Sequence, residues 1–260
     1  MRADLPAIRM FGVRIHAVTM HDTIAVVNDA IKSRELLQIG VVNAAKVVNM
    51  QRDPALGEDV RSSDLILADG MAIVWASRLF RCPLPERVTG IDLMTEMLRL
   101  SNVNGYSIYL LGATEEVSAA VEERIKREYP NARVAGRRDG YFKPEQEEQV
   151  AADIAASRAD ILLVAMTSPK KEQFLARWSA KLGIAVSHGV GGSFDVFSGK
   201  VARAPLVLQK TGFEWLYRVW QEPGRLWKRY LVTNLLFCRM VIAQLWSRST
   251  PIERASRKAT

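Results

Sequence analysis

The chain has 260 residues, 48% of them hydrophobic, and a formal net charge of +8 at pH 7. This composition excludes disordered and low-complexity classes and fits one large α/β domain with an appendage. The charge is concentrated at one end, because positions 210–260 hold ten Lys or Arg and three Glu, a net charge of +7. A basic tail beside a nearly neutral body indicates an anionic partner, either nucleic acid or a lipid surface.

The two cysteines and the N-terminal stretch bear on the compartment. Cys82 and Cys238 have no paired spacing, so neither a disulfide framework nor a zinc site is predicted. The N-terminal stretch has no apolar run long enough for a signal peptide. We therefore expect a protein of the reducing cytoplasm.

Apolar runs of strand length recur along the chain, each followed by a longer segment of helical period. The runs are 36–43, 64–69, 107–112, 160–166 and 184–191. This alternation is typical of βα units around a mainly parallel sheet, since strands covered on both faces need not alternate polar and apolar residues. The clearest helices are 114–130, with a Thr cap and a Pro stop, and 168–183, which ends on Gly183.

The composition changes after Pro205. Aromatic and basic residues interleave through 211–246, and Pro223 and Gly224 divide this segment into two predicted helices. We therefore expect an α/β domain over 1–205 and a basic, aromatic, helical appendage over 206–260.

Polar residues or glycines follow the predicted strands. They are Asn43, Asp69, Gly112, Gly189, Gly191 and Gly192. Because ligands bind at the carboxyl ends of strands in open parallel sheets, these positions predict one binding rim. Asp69 is placed there as a general base would be, but Asp at the start of a helix is also a common cap. Asn43 has the same alternative.

The string GVGGSFDVFSGKVARAP at 189–205 is unusual for its concentration of glycines and polar residues. Glycines let a ligand approach the backbone and expose N–H groups to phosphate oxygens. Asp195 is suited to sugar hydroxyls and Arg203 to a diphosphate. A tight turn and a surface ion pair would account for each residue singly.

Several cofactor motifs are absent from the sequence. There is no GxGxxG after a strand, no GxxxxGK[ST], no DxD pair and no cluster with metal-ligand spacing. We therefore expect no dinucleotide, metal or other cofactor. If a diphosphate leaves in the reaction, Arg and Lys side chains must stabilise its charge.

Six motifs, in this order between Asn43 and Tyr230, resemble the WecG/TagA/CpsF family of bacterial glycosyltransferases. They are ADGMAIVWASRL (68–79), ERVTGIDL (86–93), GYF (140–142), SPKKE (168–172), the string at 189–205, and GFEWLYRVWQEPGRLWKRYL (212–231). The resemblance implies a Rossmann-like, metal-independent, inverting enzyme of bacterial surface or exopolysaccharide biosynthesis. Such an enzyme moves a hexose or N-acetylhexosamine from a UDP-sugar to a polyprenyl-diphosphate-linked sugar at the cytoplasmic membrane face.

The resemblance also implies roles for individual residues. It makes Asp69 the catalytic base, puts Asn43 next to the donor sugar, and has Arg87 and Asp195 line the donor pocket. In the family the appendage binds the membrane and brings arginines to the active site. The corresponding arginines here are Arg218, Arg225 and Arg229. Further substrate-binding candidates are Gly112, Lys171, Gly191, Gly192 and Arg203.

The chain departs from the family pattern at two positions, with Val41 in place of Thr and Lys171 in place of Gln. Both changes alter the hydrogen bonding of the donor pocket and leave the donor sugar undetermined. Lys171 is expected to pair with Glu172 or Asp69, to contact phosphate, or to be a solvated helix lysine. A protein that binds a UDP-sugar without turning it over, within a polysaccharide assembly complex, is the alternative function.

The apolar segment 231–246 is too short to span a bilayer, and Arg239 interrupts it. Thr233, Asn234, Gln244 and Arg248 share one side of its helical wheel, and the other side is mainly apolar. Trp215, Trp220, Trp227 and Trp246 have rings suited to the lipid headgroup layer.

We expect residues 211–248 to bind an anionic membrane surface, which would make the protein peripheral on the cytoplasmic face of the inner membrane. An ordinary core helix or a homo-oligomer interface is the alternative. Nucleic acid is disfavoured as a partner, because the basic residues flank an apolar run and form no polar stripe.

Overall fold

The chain is built around a six-stranded parallel sheet. The computed structural model describes residues 5–246, apart from the side chains of Lys210 and Arg225. In chain order the strands are β1 (Ala7–Met10), β2 (Val13–His16), β3 (Leu37–Val42), β4 (Leu65–Ala68), β5 (Ser107–Gly112), β6 (Arg133–Arg138), β7 (Ile161–Ala165) and β8 (Val186–Gly189). The first two form an antiparallel hairpin, and the other six are ordered β4-β3-β8-β7-β5-β6.

All five predicted strands are confirmed as β3, β4, β5, β7 and β8, so the predicted α/β fold with a parallel sheet is confirmed. The sequence analysis missed β6 and the hairpin. β6 is an edge strand with the sequence RVAGRR, and it has no fully buried residue. Each hairpin strand has four residues, which is too short for a clear alternation pattern.

Helices cover both faces of the sheet. In chain order they are α1 (Met20–Ser33), α2 (Ala44–Arg52), α3 (Pro54–Arg61), α4 (Met71–Leu79), α5 (Gly90–Asn104), α6 (Glu115–Glu128), α7 (Glu147–Ala156), α8 (Lys170–Trp178), α9 (Ser193–Phe197), α10 (Leu206–Lys210), α11 (Glu214–Gln221) and α12 (Pro223–Trp246). The helix predicted at 114–130 is α6, and Thr114 caps it. The helix predicted at 168–183 is α8 followed by a short 3-10 turn.

Alternate residues of each strand point to opposite faces and build separate cores. On one face, Ile39, Leu110 and Leu163 pack among residues of α1, α5, α6 and α9. On the other face, the hairpin, α2, α3, α4 and α12 cover Val42 and Ile66 at one end of the sheet. α7 and α8 cover the opposite end of that face. Burial on both faces explains why the central strands read as continuous apolar runs.

Both edges of the sheet are protected. The Nδ1 atom of His16 in the hairpin accepts a hydrogen bond of 3.0 Å from Ile66 N–H at the β4 edge. At the β6 edge, Arg137 forms ion pairs with Glu115 and Glu122. A cover at one edge and charged side chains at the other prevent pairing with a further strand.

The appendage begins with α10, and the predicted break near Pro223 divides α11 from α12. One side of α12 packs on the body of the protein. Phe237 is 6% exposed, and its ring centroid lies 5.2 Å from that of Phe11. Gln244 accepts a hydrogen bond of 3.2 Å from Phe11 N–H. The side of α12 that carries Phe237 and the polar residue Gln244 therefore faces the body. A helix packed on the body is what the core-helix alternative requires.

The opposite side of α12 is apolar and exposed. Its exposed large hydrophobic residues are Trp227, Leu231, Val232, Leu235, Ile242, Leu245 and Trp246. No helix within residues 5–246 is both long and apolar enough to cross a bilayer. Arg248 and the rest of 247–260 lie outside the described residues.

Truncating a side chain on the buried side of α12 is expected to lower the stability much more than truncating one on the exposed side. Phe237→Ala removes a buried ring and is expected to lower the free energy of unfolding by about 3–5 kcal/mol. Leu235→Ala is the matched control, since Leu235 is 63% exposed on the same helix, and its expected effect is within about 0.5 kcal/mol. Urea unfolding of both variants measures the difference. Equal values would show that α12 is not docked through Phe237.

Candidate active site

The carboxyl ends of the parallel strands meet at one edge of the sheet, which we call the rim. Asp69 follows β4 and Asn43 follows β3, and these strands are neighbours. Gly191 and Gly192 follow β8, which lies on the other side of β3. The strand order therefore brings most of the predicted site residues to one end of the rim.

Asp69 accepts two hydrogen bonds. Its Oδ2 accepts from Asn43 Nδ2 at 3.3 Å, and its Oδ1 accepts from Gly90 N–H at 3.1 Å. Asp69 does not cap α4, because Gly70 is the N-cap of that helix and no side chain bonds to its first turn. The helix-cap alternative is therefore wrong for α4, and the carboxylate instead binds the first residue of α5. Asp69 is half-buried.

Asn43 serves both as a cap and as a partner of Asp69. Its Oδ1 accepts a hydrogen bond of 3.0 Å from Lys46 N–H, which caps α2. Its Nδ2 is then free to donate to Asp69. A Cβ on Gly70 would lie 3.1 Å from Asn43 Cβ, so glycine at position 70 allows the two strand ends to approach.

Arg87 lies on a loop that is tied to the end of β4. Val88 N–H donates to the carbonyl oxygen of Ala68 at 2.9 Å, and the Gly90 bond to Asp69 fixes the loop on its other side. The Nη1 atom of Arg87 donates to Glu214 Oε2 at 3.2 Å. Glu214 is the first residue of α11, so this ion pair joins the appendage to the rim.

Arg218 is one turn further along α11. Its Nη2 lies 3.4 Å from the other carboxylate oxygen of Glu214. Arg229 is exposed on α12, and the side chain of Arg225 lies outside the described part of the chain. Of the three predicted appendage arginines, the structure thus connects Arg218 to the rim.

Lys171 is buried, with 6% of its surface exposed. It pairs with Glu172, which also pairs with Lys46. The predicted pairing with Glu172 is confirmed, and the solvated-lysine alternative is wrong. Burial and the neighbouring charge of Lys46 lower the pKa of Lys171 to about 7. The sequence analysis missed Lys46, because only the fold brings α2 next to α8.

A small cavity against the sheet is lined by the charged side chains of Lys46, Lys171 and Glu172, together with Val41 and Gly189. A Cβ on Gly189 would lie 3.3 Å from Lys171 Cε, so a larger residue there would displace the lysine. Lys46 and Glu172 balance each other, so protonated Lys171 leaves a net positive charge beside the end of β3, and this charge is lost as the pH rises above about 7.

Arg203 pairs with Asp92 at 2.7 Å in the first turn of α5. Arg203 therefore forms the ion pair that the sequence analysis gave as an alternative, and a contact of Arg203 with a diphosphate stays a prediction. Asp195 lies on α9, and its Oδ1 atom is 3.9 Å from the Nζ atom of Lys200. Asp69 and Arg203 thus both bond to the N-terminal turn of the same helix.

Gly112 lies far from Asp69 along the rim. Three strands separate β5 from β4, and neighbouring strands are about 4.8 Å apart, so Gly112 is roughly 19 Å from Asp69 across the sheet. Its φ is 120°, and a Cβ there would lie 2.5 Å from the backbone of Ala165. The backbone conformation and the contact with β7 account for the glycine.

His188 is a buried residue near the site that the sequence analysis did not select. Its Nδ1 lies 3.2 Å from the carbonyl oxygen of Ile39. A Cβ on Gly90 would lie 3.8 Å from its Nε2, so the ring supports the loop that holds Asp69. Burial lowers the pKa of His188 to about 4, which makes the ring neutral at pH 7.

Within residues 5–246, no three His, Cys, Asp or Glu side chains form a group that could hold a metal ion.

Helices on both faces of a parallel sheet, with a carboxylate and arginines near the strand ends, define an α/β protein with a polar, charged rim. The model of the Glycosyl transferase WecG/TagA/CpsF family matches residues 8–251. A relative from Bacillus spizizenii is 39% identical over 180 residues, which is 69% of each chain. That relative is an N-acetylglucosaminyldiphosphoundecaprenol N-acetyl-beta-D-mannosaminyltransferase. The chain belongs to the WecG/TagA/CpsF family of glycosyltransferases.

Two buried histidines predict that the protein is less stable in acid. Burial also lowers the pKa of His16 to about 4, from 6.5 in the unfolded chain. Between these values the unfolded chain binds more protons, so the free energy of unfolding rises with pH. Each histidine is expected to cost up to about 3 kcal/mol of stability as the pH falls from 6.5 to 4.

Urea unfolding at several pH values between 7 and 4.5 measures this dependence. The slope of the free energy of unfolding against pH should decrease in His16→Gln by the equivalent of about one proton. His21→Gln is the control, because His21 is exposed. An unchanged slope in His16→Gln would contradict the assignment.

Proposed function

We propose that the protein is a metal-independent, inverting glycosyltransferase of bacterial surface or exopolysaccharide biosynthesis. It transfers a hexose or N-acetylhexosamine from a UDP-sugar to a sugar linked to polyprenyl diphosphate. Family membership and the activity in the name of the Bacillus relative support the reaction class. The observation that carries the proposal is the Asp69 carboxylate, fixed by Asn43 and Gly90 at the rim.

In the proposed mechanism, Asp69 is the general base. It removes the proton of an acceptor hydroxyl as that oxygen attacks the anomeric carbon from the side opposite UDP. The bond from the anomeric carbon to UDP breaks, and the configuration inverts. Each oxygen of Asp69 accepts one hydrogen bond from the protein, and a carboxylate oxygen has two lone pairs. Each oxygen therefore retains a lone pair for the proton.

Arginine side chains would stabilise the departing diphosphate. Arg87 and Arg218 lie next to each other around Glu214, and a guanidinium group matches the geometry of phosphate oxygens. Preorganised cations at the leaving group lower the barrier without reorganisation during the reaction. Asn43, Asp195 and the glycines at 191 and 192 remain candidates for contacts to the donor.

The name of the Bacillus relative suggests the first substrates to test, UDP-N-acetylmannosamine and N-acetylglucosaminyl diphosphoundecaprenol. Val41 and Lys171 are reasons to test other donors as well. The side chain of Val41 packs in the core, and the ammonium group of Lys171 is engaged by Glu172. Neither side chain supplies the pocket with the hydroxyl or amide that the family pattern has there.

We further propose that residues 1–205 form the catalytic domain and residues 206–260 a membrane-binding appendage on the cytoplasmic face of the inner membrane. The exposed apolar side of α12 and the net charge of +7 at 210–260 support this assignment. Tryptophans and leucines enter the headgroup region, while basic residues attract anionic lipids. A homo-oligomer would use the same apolar surface.

Asp69→Asn is expected to lose transfer by about 10²–10⁴-fold, because the amide cannot accept the proton. Asn has the shape of Asp but keeps only one of its two acceptor oxygens, so the free energy of unfolding should fall by about 1–3 kcal/mol while the folded protein still binds UDP. Mass analysis of products from a panel of UDP-sugars, with a polyprenyl-diphosphate-linked acceptor, measures transfer. Wild-type rates in this variant would exclude Asp69 as the base.

Leu235→Glu combined with Ile242→Glu is expected to weaken binding to anionic vesicles by at least about tenfold, since it puts two charges into the bilayer interface. Cosedimentation measures binding. These residues suit the test better than truncation at Pro205, which would also remove Phe237 from the core. The control is Val103→Glu, an 82% exposed apolar position on α5. If vesicle binding persists and the native mass falls instead, the surface is an oligomer interface.

A further inference from the structure

Glu214 is the carboxylate on which two candidate diphosphate-binding arginines converge. Arg87 reaches its Oε2 from the rim loop, and Arg218 reaches its Oε1 from one turn further along α11. The side chains of Arg87 and Glu214 are 14% and 16% exposed, respectively. This is a largely desolvated contact between the appendage and the rim.

The position of Arg87 connects this contact to the proposed catalytic base. Val88 and Gly90, which follow Arg87 closely, donate their N–H groups to Ala68 O and Asp69 Oδ1. A side chain that holds Arg87 therefore acts on the same loop whose Gly90 N–H bonds to Asp69.

Charge explains why a glutamate is useful between two arginines. Without a carboxylate, two guanidinium groups that share one partner would repel each other, although solvent reduces this repulsion because the Arg218 side chain is 44% exposed. With Glu214 the three groups have a net charge of +1, and the arginines can stay together before any ligand arrives. Each guanidinium group has five N–H donors, so most donors remain available for phosphate oxygens.

We propose that Glu214 is a positioning residue that holds Arg87 and Arg218 side by side for the diphosphate of the donor. This inference rests on the proposed function. Glu214 itself touches no reacting atom. It links the binding of the nucleotide to the docking of α11, because the same carboxylate serves the rim loop and the appendage.

The test is a double-mutant cycle on the affinity for UDP, measured by titration calorimetry with the full-length chain. Glu214→Gln keeps the size of the side chain and removes its charge. In the wild-type background it is expected to weaken UDP binding about tenfold. In an Arg87→Gln background the same change is expected to have a smaller effect, about two- to threefold, because only Arg218 is left for Glu214 to position.

A purely structural ion pair would lower the thermal midpoint in Glu214→Gln and leave the UDP affinity of the folded protein unchanged. Equal losses of UDP affinity in the two backgrounds would mean that Glu214 acts independently of Arg87, and this would also overturn the proposal. Unchanged UDP affinity in Glu214→Gln would overturn it too, as would tighter binding, which would mean that the carboxylate competes with phosphate. The matched control is Glu96→Gln, which breaks a surface pair with Arg99 on α5 and should leave UDP affinity unchanged.

Wild-type protein separates failure of this inference from failure of the proposed function. If the wild type binds no UDP and transfers no sugar, the function itself is wrong and the inference falls with it. If the wild type binds UDP and Glu214→Gln binds it equally well, only the role of Glu214 is wrong.

Discussion

The rim depends on the hydrogen bonds of one carboxylate. Asp69 receives N–H groups from Asn43, at the end of the neighbouring strand, and from Gly90, at the start of α5. These contacts join two strand ends to a helix that packs on the opposite face of the sheet from α2. A half-buried carboxylate is stable there because its oxygens have donors. The loop with Arg87 takes its position from the same bonds, so the candidate base and a candidate diphosphate ligand are fixed together.

Charge is distributed around this carboxylate in separate groups. Lys46, Lys171 and Glu172 form a buried cluster beside β3, and Arg87, Glu214 and Arg218 form another where the appendage meets the rim. Each combines two basic side chains with one carboxylate. Buried cations without partners are costly, and the glutamates reduce that cost.

The appendage combines two uses of an apolar helix. One side of α12 completes the core around Phe11 through Phe237, and the other side leaves leucines and tryptophans exposed. α11 meanwhile delivers Glu214 to the rim. The ion pair between Arg87 and Glu214 thereby joins the rim to the appendage that carries this exposed apolar surface.

The sequence by itself predicted the five buried strands, the clearest helices, and the residues that follow the strands, because apolar period and terminal glycines are local properties. It predicted Asn43 and Asp69 as rim residues for the same reason. Only the tertiary structure decided that Asp69 bonds to α5 and not to α4, that Lys46 lies beside Glu172, and that Gly112 is far from Asp69. Those outcomes depend on strand order and helix packing, which bring together residues from distant positions and leave no periodic signal in the chain.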